Sequence, residues 1–210
     1  MNGSSAKENI LKKIRQALAT PVPVPFPESE GNNSVFHPLQ KDLEVEFAEN
    51  FSSLLGRFSF CIDEKELADQ LHLLIEKKQL QHIFCNEPEI TEKLQAHGFN
   101  EMASDDIATA DASITSCELL IARTGSIVLS SASQSGRTAS VYAPVHICIA
   151  YSRQLVYDIK EGLQQLKDEY GDKLPSFITL ATGPSRTADI EKTLVVGIHG
   201  PKEVFVFLVE

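Results

Sequence analysis

Six consecutive apolar residues, Val204-Phe-Val-Phe-Leu-Val209, run to the next-to-last position of the sequence. A strand with no polar face must be covered on both sides. That requirement excludes an open, one-sided sheet and demands a layered fold. The segments before it supply the layers. Leu43, Phe47, Phe51, Leu54 and Leu55 fall on one helical face, ended by Gly56. Arg57–Ile62 reads as a strand. Asp63 is placed to cap a helix that runs through Lys78, with Leu67, Leu71, Leu74 and Ile75 on its apolar side. His82–Cys85 is a short strand, and a helix over about 89–97 ends at Gly98. This rhythm predicts parallel strands with helical crossovers. The later chain reads as strands at Ala112–Ile114, Leu119–Ala122, Ile127–Leu129, Val145–Ala150 and Phe177–Ala181. Helices are expected over Leu155–Tyr170 and Thr187–Val196. Arg123-Thr-Gly-Ser126 is too short to join parallel neighbours, so the sheet is expected to be mixed. The expected class is a three-layer α/β fold, one mixed sheet with helices on both faces.

Residues 7–19 predict a further helix, with Ile10, Leu11, Ile14, Ala17 and Leu18 on one side. Pro21-Val-Pro-Val-Pro-Phe-Pro27 follows, and alternating prolines cannot continue a helix. Residues 1–40 are therefore read as an amphipathic arm on a Pro-rich tether, and 41–210 as the α/β domain. The apolar side of the arm needs a cover: the chain's own core, a second copy in a homo-oligomer, or another protein.

Composition excludes some functions. Nineteen Lys+Arg against 29 Asp+Glu give a net charge of −10, unsuited to binding nucleic acid or an anionic membrane. The apolar runs are too short for a membrane span. No leader pattern is read at the N-terminus, so a cytoplasmic protein is the default. Cys61, Cys85, Cys117 and Cys148 lack ligand spacing; Cys61, Cys85 and Cys148 sit among apolar residues, so the cysteines read as buried reduced thiols with no metal site, a four-Cys cluster being the alternative that no spacing supports.

Three polar segments adjoin strand ends: Thr124-Gly125-Ser126, the Ser-rich stretch 130–140 with Arg137, and Thr182-Gly-Pro-Ser-Arg-Thr-Ala-Asp-Ile-Glu191. Ligands of α/β sheets bind outside the carboxyl ends of strands. Gly183, Ser185, Arg186 and Thr187 would meet a phosphate or carboxylate at a helix start. The same residues also suit a plain turn and N-cap, with Asp189 pairing locally and Glu191 beside Thr187. The Ser-rich stretch also reads as a surface loop. Arg137 and Arg186 could clamp one anion if the fold brings them together. His146 reads as a hydrogen-bonded core residue. His199, between glycines in a loop, is the better acid–base candidate, though it also suits a turn.

Thr124-Gly-Ser-Ile127, Gly136-Arg137, Pro144-Val-His-Ile147, the run Gly183–Glu191 and Gly197-Ile-His-Gly-Pro201 occur in the order seen in the LUD-domain family, and the chain resembles its lactate-utilisation group. The resemblance covers about residues 41–210, and the first helix resembles the arm those proteins carry. It implies the fold of ribose-phosphate isomerase, glucosamine-phosphate deaminase and CoA-transferases (the NagB/RpiA/CoA-transferase-like fold). It implies a part in oxidising L-lactate to pyruvate beside iron–sulfur partner proteins, this chain holding no cofactor itself. It carries over no proven catalyst. A stand-alone enzyme on a phosphorylated, carboxylate or CoA-linked metabolite is the other reading.

Overall fold

The computed structural model describes residues 6–19, 38–102, 106–135, 137–188 and 194–210. The chain divides into two units, Met1–Pro38 and Leu39–Glu210. In the first, α1 (Ala6–Leu18) is a helix as its periodicity predicts, and Ile10, Leu11 and Ile14 are exposed. The Pro-rich tether lies outside the described residues.

In the second unit, α2 (Leu43–Ser53), β1 (Arg57–Cys61), α3 (Glu64–Lys78), β2 (Ile83–Phe84) and α4 (Pro88–Ala96) follow the predicted order. Asp63 caps α3 by accepting a hydrogen bond from Glu66 N at 2.8 Å. Next come β3 (Ala112–Thr115), β4 (Leu119–Ile121), β5 (Ser126–Ser130), the single turn α5 (Ala139–Tyr142), β6 (Val145–Tyr151), β7 (Leu155–Val156) and α6 (Ile159–Tyr170). The chain ends with β8 (Ile178–Ala181), β9 (Arg186–Ala188), β10 (Leu194–Val196) and β11 (Glu203–Val209). Among the described residues no helix is long and apolar enough to cross a membrane.

The strands do not form one mixed sheet. A wholly parallel sheet has the order β1-β11-β6-β3-β2, and a separate sheet has the order β7-β4-β5-β8. The antiparallel β4–β5 pair belongs to the second sheet, because Gly125 turns the chain back at once. Its φ is +59°, and a Cβ there would lie 2.5 Å from the Phe51 N atom.

The layers follow from burial. One face of the parallel sheet packs on α3 and α4 through Ile114, Ile147 and Phe207. Its other face packs on α2 and the second sheet through Cys148, Val206, Phe51 and Ile127. The outer face of the second sheet takes α6 through Ile121, Val128 and Leu166. Every residue of Val204–Val209 is buried, as its unbroken apolar run requires.

Two expected helices differ. Leu155–Tyr170 begins as the strand β7, and the helix starts only after Asp158, whose carboxylate accepts from Lys160 N at 2.9 Å. Thr187–Val196 is not a helix where it is described. Arg186–Ala188 pairs antiparallel with Leu194–Val196, Thr187 opposite Val195. β-Branched Thr187, Val195 and Val196 favour the extended pairing. Residues 189–193, including Asp189 and Glu191, lie outside the described residues.

Candidate functional site

A cavity of about 270 Å³ lies between the two sheets. Val204 and His146 form its floor, Leu129, Thr179 and Ala181 one wall. It opens where β6 and β11 begin, not at their carboxyl ends. The reason is the Thr182–Ser185 turn, which leaves β8 of the second sheet and runs beside the loop that enters β11. Ser185 N donates to Pro201 O at 2.9 Å, and Gly197 N donates to Ser185 O at 2.9 Å. Gly183 makes the turn possible: its φ is +74°, and a Cβ would sit 2.4 Å from Leu54 O.

Several predicted residues meet here. Arg137, Gly183, Ser185 and His199 all line the cavity. Arg137 comes from the Ser-rich loop, His199 from the β10–β11 loop. The Arg137 guanidinium stacks 5.4 Å from the Phe177 ring centre and donates to Ser176 Oγ at 2.7 Å. Arg137 and His199 are both exposed at the rim.

Arg186 and Thr187 are not in the lining. They belong to β9, and Arg186 is exposed. Without a helix at this point there is no first turn of free N–H groups, and the Ser185 N–H is already used. The expected helix start is therefore absent, and Gly183 and Ser185 line a cleft between loops instead. Thr124, Gly125 and Ser126 stand behind the wall. Thr124 Oγ1 and Ser126 Oγ are 2.7 Å apart, and Ser126 Oγ is 2.9 Å from Thr182 Oγ1, which does line the cavity.

His146 is a lining residue that sequence reasoning assigned to the core. It is both. Its Nε2 lies 2.9 Å from Thr115 Oγ1, and that hydroxyl donates to Ser116 O at 2.9 Å. Thr115 has one proton to give; with it on Ser116 O, Nε2 is the donor to Thr115 Oγ1 and Nδ1 is the free acceptor. Burial lowers the pKa of His146 from 6.5 to about 4, so the ring is neutral near pH 7.

Glu87 was also missed. It is buried, and its carboxylate accepts from Ser116 N at 3.2 Å and from the hydroxyls of Ser116 and Ser135. Asn86 Nδ2 donates to Gln134 O at 3.1 Å. The loop that carries Arg137 is thus fastened to the end of β2. A lone glutamate before a short helix gives no sequence signal of this.

Cys61, Cys117 and Cys148 are buried free thiols, and Cys85 is half-buried. A hydrogen bond with Cys117, then burial, raises the Cys148 thiol well above its ordinary value. Among the described residues no group of three or more His, Cys, Asp or Glu is placed to hold a metal ion.

The family model described as "LUD domain" matches residues 45–209. Lactate utilization protein C of Halalkalibacterium halodurans is 35% identical over 116 residues, 54% of this chain and 50% of that protein. The protein of the same name from Deinococcus radiodurans is 34% identical over 105 residues, 50% of this chain and 49% of its own. The chain thus spans about half the length of the curated relatives it matches. A crystal structure of a DUF162 family protein from Deinococcus radiodurans superposes with a TM-score of 0.61 at 20% identity, covering 82% of this chain and all of that one, a likeness of fold. With the family model spanning the parallel sheet, the second sheet and the cavity between them, the chain belongs to the LUD-domain family.

Proposed function

We propose that this protein is a component of a lactate-utilisation system and that its cavity holds a small carboxylate of the lactate or pyruvate class. The relatives named lactate utilization protein C support the first part. The second rests on one observation: Arg137, Ser185 and His199, from three separate loops, line one cavity with neutral His146 at its floor. Arg137 is the carboxylate partner, a planar donor already oriented by Phe177. Ser185 and Thr182 offer hydroxyls for a 2-hydroxyl or 2-oxo group. His199 is the acid–base residue at the rim.

Size narrows the ligand. A volume of about 270 Å³ is below that of most drug-sized sites, ~300–1,000 Å³. A three-carbon acid fits inside, whereas a CoA ester could enter only by its acyl end. The chain works, on this reading, as the cluster-free member beside iron–sulfur partners, in the NagB/RpiA-like fold. Residues 1–40 serve as an arm with the exposed Ile10, Leu11 and Ile14 available to a partner or a second copy.

Calorimetry with lactate, pyruvate, phosphate and CoA esters tests the ligand. A charge-assisted hydrogen bond contributes about 1.5–3 kcal/mol. Arg137→Ala should therefore weaken lactate or pyruvate binding at least about tenfold, and Arg186→Ala should leave it unchanged. Equal binding by both variants, or tighter binding of phosphate than of either acid, would overturn the assignment. Lactate-dependent dye reduction by the assembled proteins, with and without this chain, tests the role in the system.

A further inference from the structure

β1 ends the parallel sheet and pairs only with β11 among the described residues. An end strand presents N–H and C=O groups that proteins usually shield with charge, proline or a covering segment; here α3 caps part of the edge, Gln70 Nε2 donating to Phe60 O at 3.4 Å and Ile62 N donating to Glu66 Oε2 at 2.8 Å, while the Phe58 N–H and C=O stay open to a neighbour. Here the strand reads Arg57-Phe-Ser-Phe-Cys61, and Phe60 is 40% exposed. Open grooves flank it on both sides. One, of about 570 Å³, is lined by Phe58 and Phe60 together with the acidic Asp42, Glu44, Glu49 and Glu210; the other, of about 590 Å³, by Ser59, Gln70, Leu73 and Lys77.

We propose that β1 is the interface of a two-fold dimer, pairing antiparallel with β1 of a second copy about Ser59. The occupant is a second copy because the surface complements itself. Antiparallel pairing centred on Ser59 sets Phe58 opposite the partner subunit's Phe60, and Phe60 opposite the partner subunit's Phe58. Both rings lie on one side of the strand, so four rings close one groove. On the other side, α3 shows the stripe Glu66, Gln70, Leu73, Lys77, spaced four, three and four apart and so on one face. A two-fold axis reverses that stripe onto itself: Glu66 meets the partner subunit's Lys77, and Gln70 meets the partner subunit's Leu73.

The two registers must share one axis, and they do. Ser59 is hydrogen-bonded to Gln70, which puts the middle of the strand level with the middle of the stripe. Glu210, whose N–H donates to Cys61 O, lies at the acidic end of the strand. Antiparallel pairing carries it toward the partner subunit's Arg57, a side chain that within its own chain pairs with Glu203 at 3.1 Å. An isologous interface requires this kind of self-match, acid against base in both copies at once.

Sedimentation of the full chain at about 100 μM, well above a micromolar dissociation constant, should give twice the 23.1 kDa chain mass. Phe60→Glu should give a monomer with an unchanged circular dichroism spectrum, since Phe60 is partly exposed. Lys77→Glu should weaken the dimer severalfold, and adding Glu66→Lys to it should restore the affinity by swapping the pair. A monomeric wild type overturns the proposal. So does a folded Phe60→Glu dimer, or a double variant no better than Lys77→Glu alone.

Discussion

The two faces of the parallel sheet are built from the same strands and are packed differently. In β6, Val145, Ile147 and Ile149 join α3 and α4 in one apolar cluster. The alternate residues His146, Cys148 and Ala150 turn to the second sheet. In β3, Ala112 and Ile114 face the helices, and Ser113 and Thr115 face the other way. The helix side is carbon packed on carbon. The inter-sheet side buries a histidine, two hydroxyls and a carboxylate network, and leaves about 270 Å³ open. Close packing maximises stability, while a binding site needs space and polar groups. The strands divide the two demands by alternation, so a change on one face should reach stability and the same kind of change on the other should reach function.

The largest effect should come from the helix side. Ile147 is fully buried. Ile147→Ala removes three carbons from a sealed cluster and should cost about 2–5 kcal/mol, read by denaturant unfolding. Ligand affinity of the folded fraction should stay as in wild type. A loss of affinity without a loss of stability would break the division between the faces.

The next effect belongs to His146 and depends on pH. Unfolded, the ring takes a proton below about 6.5; folded, it does so only near 4. Between those values the unfolded chain binds more protons, so stability falls as pH falls. The loss across that window should be on the order of 3 kcal/mol. Asp111 and Asp158 act at lower pH. Hydrogen bonds from Gln81 and His82 N–H hold the first, and one from Lys160 N–H the second, below the usual carboxylate range. His146→Gln should flatten the slope of stability against pH from 6.5 to 4 and leave the acid limb of the carboxylates. An unaltered slope would show that His146 is not the group titrating.

The same division explains what the sequence made legible. The helix-covered face is written in period: Leu67 and Leu71 on α3, and the unbroken run of β11, predict their own burial. The α/β class and the order of elements through β6 follow from that. The site is written in long-range contacts instead. Nothing local says that Arg137 and His199 meet at one cavity while Arg186, one residue from Ser185, stands apart. Gly183-Pro184-Ser185 resembles a helix start because turn and N-cap use the same residues. The pairing of Thr187 with Val195 decides for a hairpin, and no helical period can reveal a tertiary pairing. The sequence predicts one sheet where two form, because β4–β5 antiparallel pairing fixes neighbours but not which sheet they join. Glu87 gave no signal because its partners lie 29 and 48 residues away.

The smallest effect should be a gain. Ser113 is fully buried, and its Oγ has no hydrogen-bond partner. A buried hydroxyl without a partner has lost its water and received nothing in return, a cost of roughly 1–3 kcal/mol. Ser113 stands in register with His146, on the polar face of β3. Replacing it by alanine removes the unpaired oxygen and leaves a void of one atom, which offsets part of the gain. Ser113→Ala should therefore raise stability by up to about 1 kcal/mol, a rise of ~2–4 °C in Tm for a chain of this length. The neighbouring Ile114→Ser, which puts the same hydroxyl on the helix side, should lower stability by several times that amount, since it adds an unpaired oxygen and opens a cavity together. Thermal melts of the two variants beside wild type measure the asymmetry of the sheet directly. If Ser113→Ala is as damaging as Ile114→Ser, the inter-sheet face is packed as tightly as the helical one, and the trade of stability for a polar site is not made there.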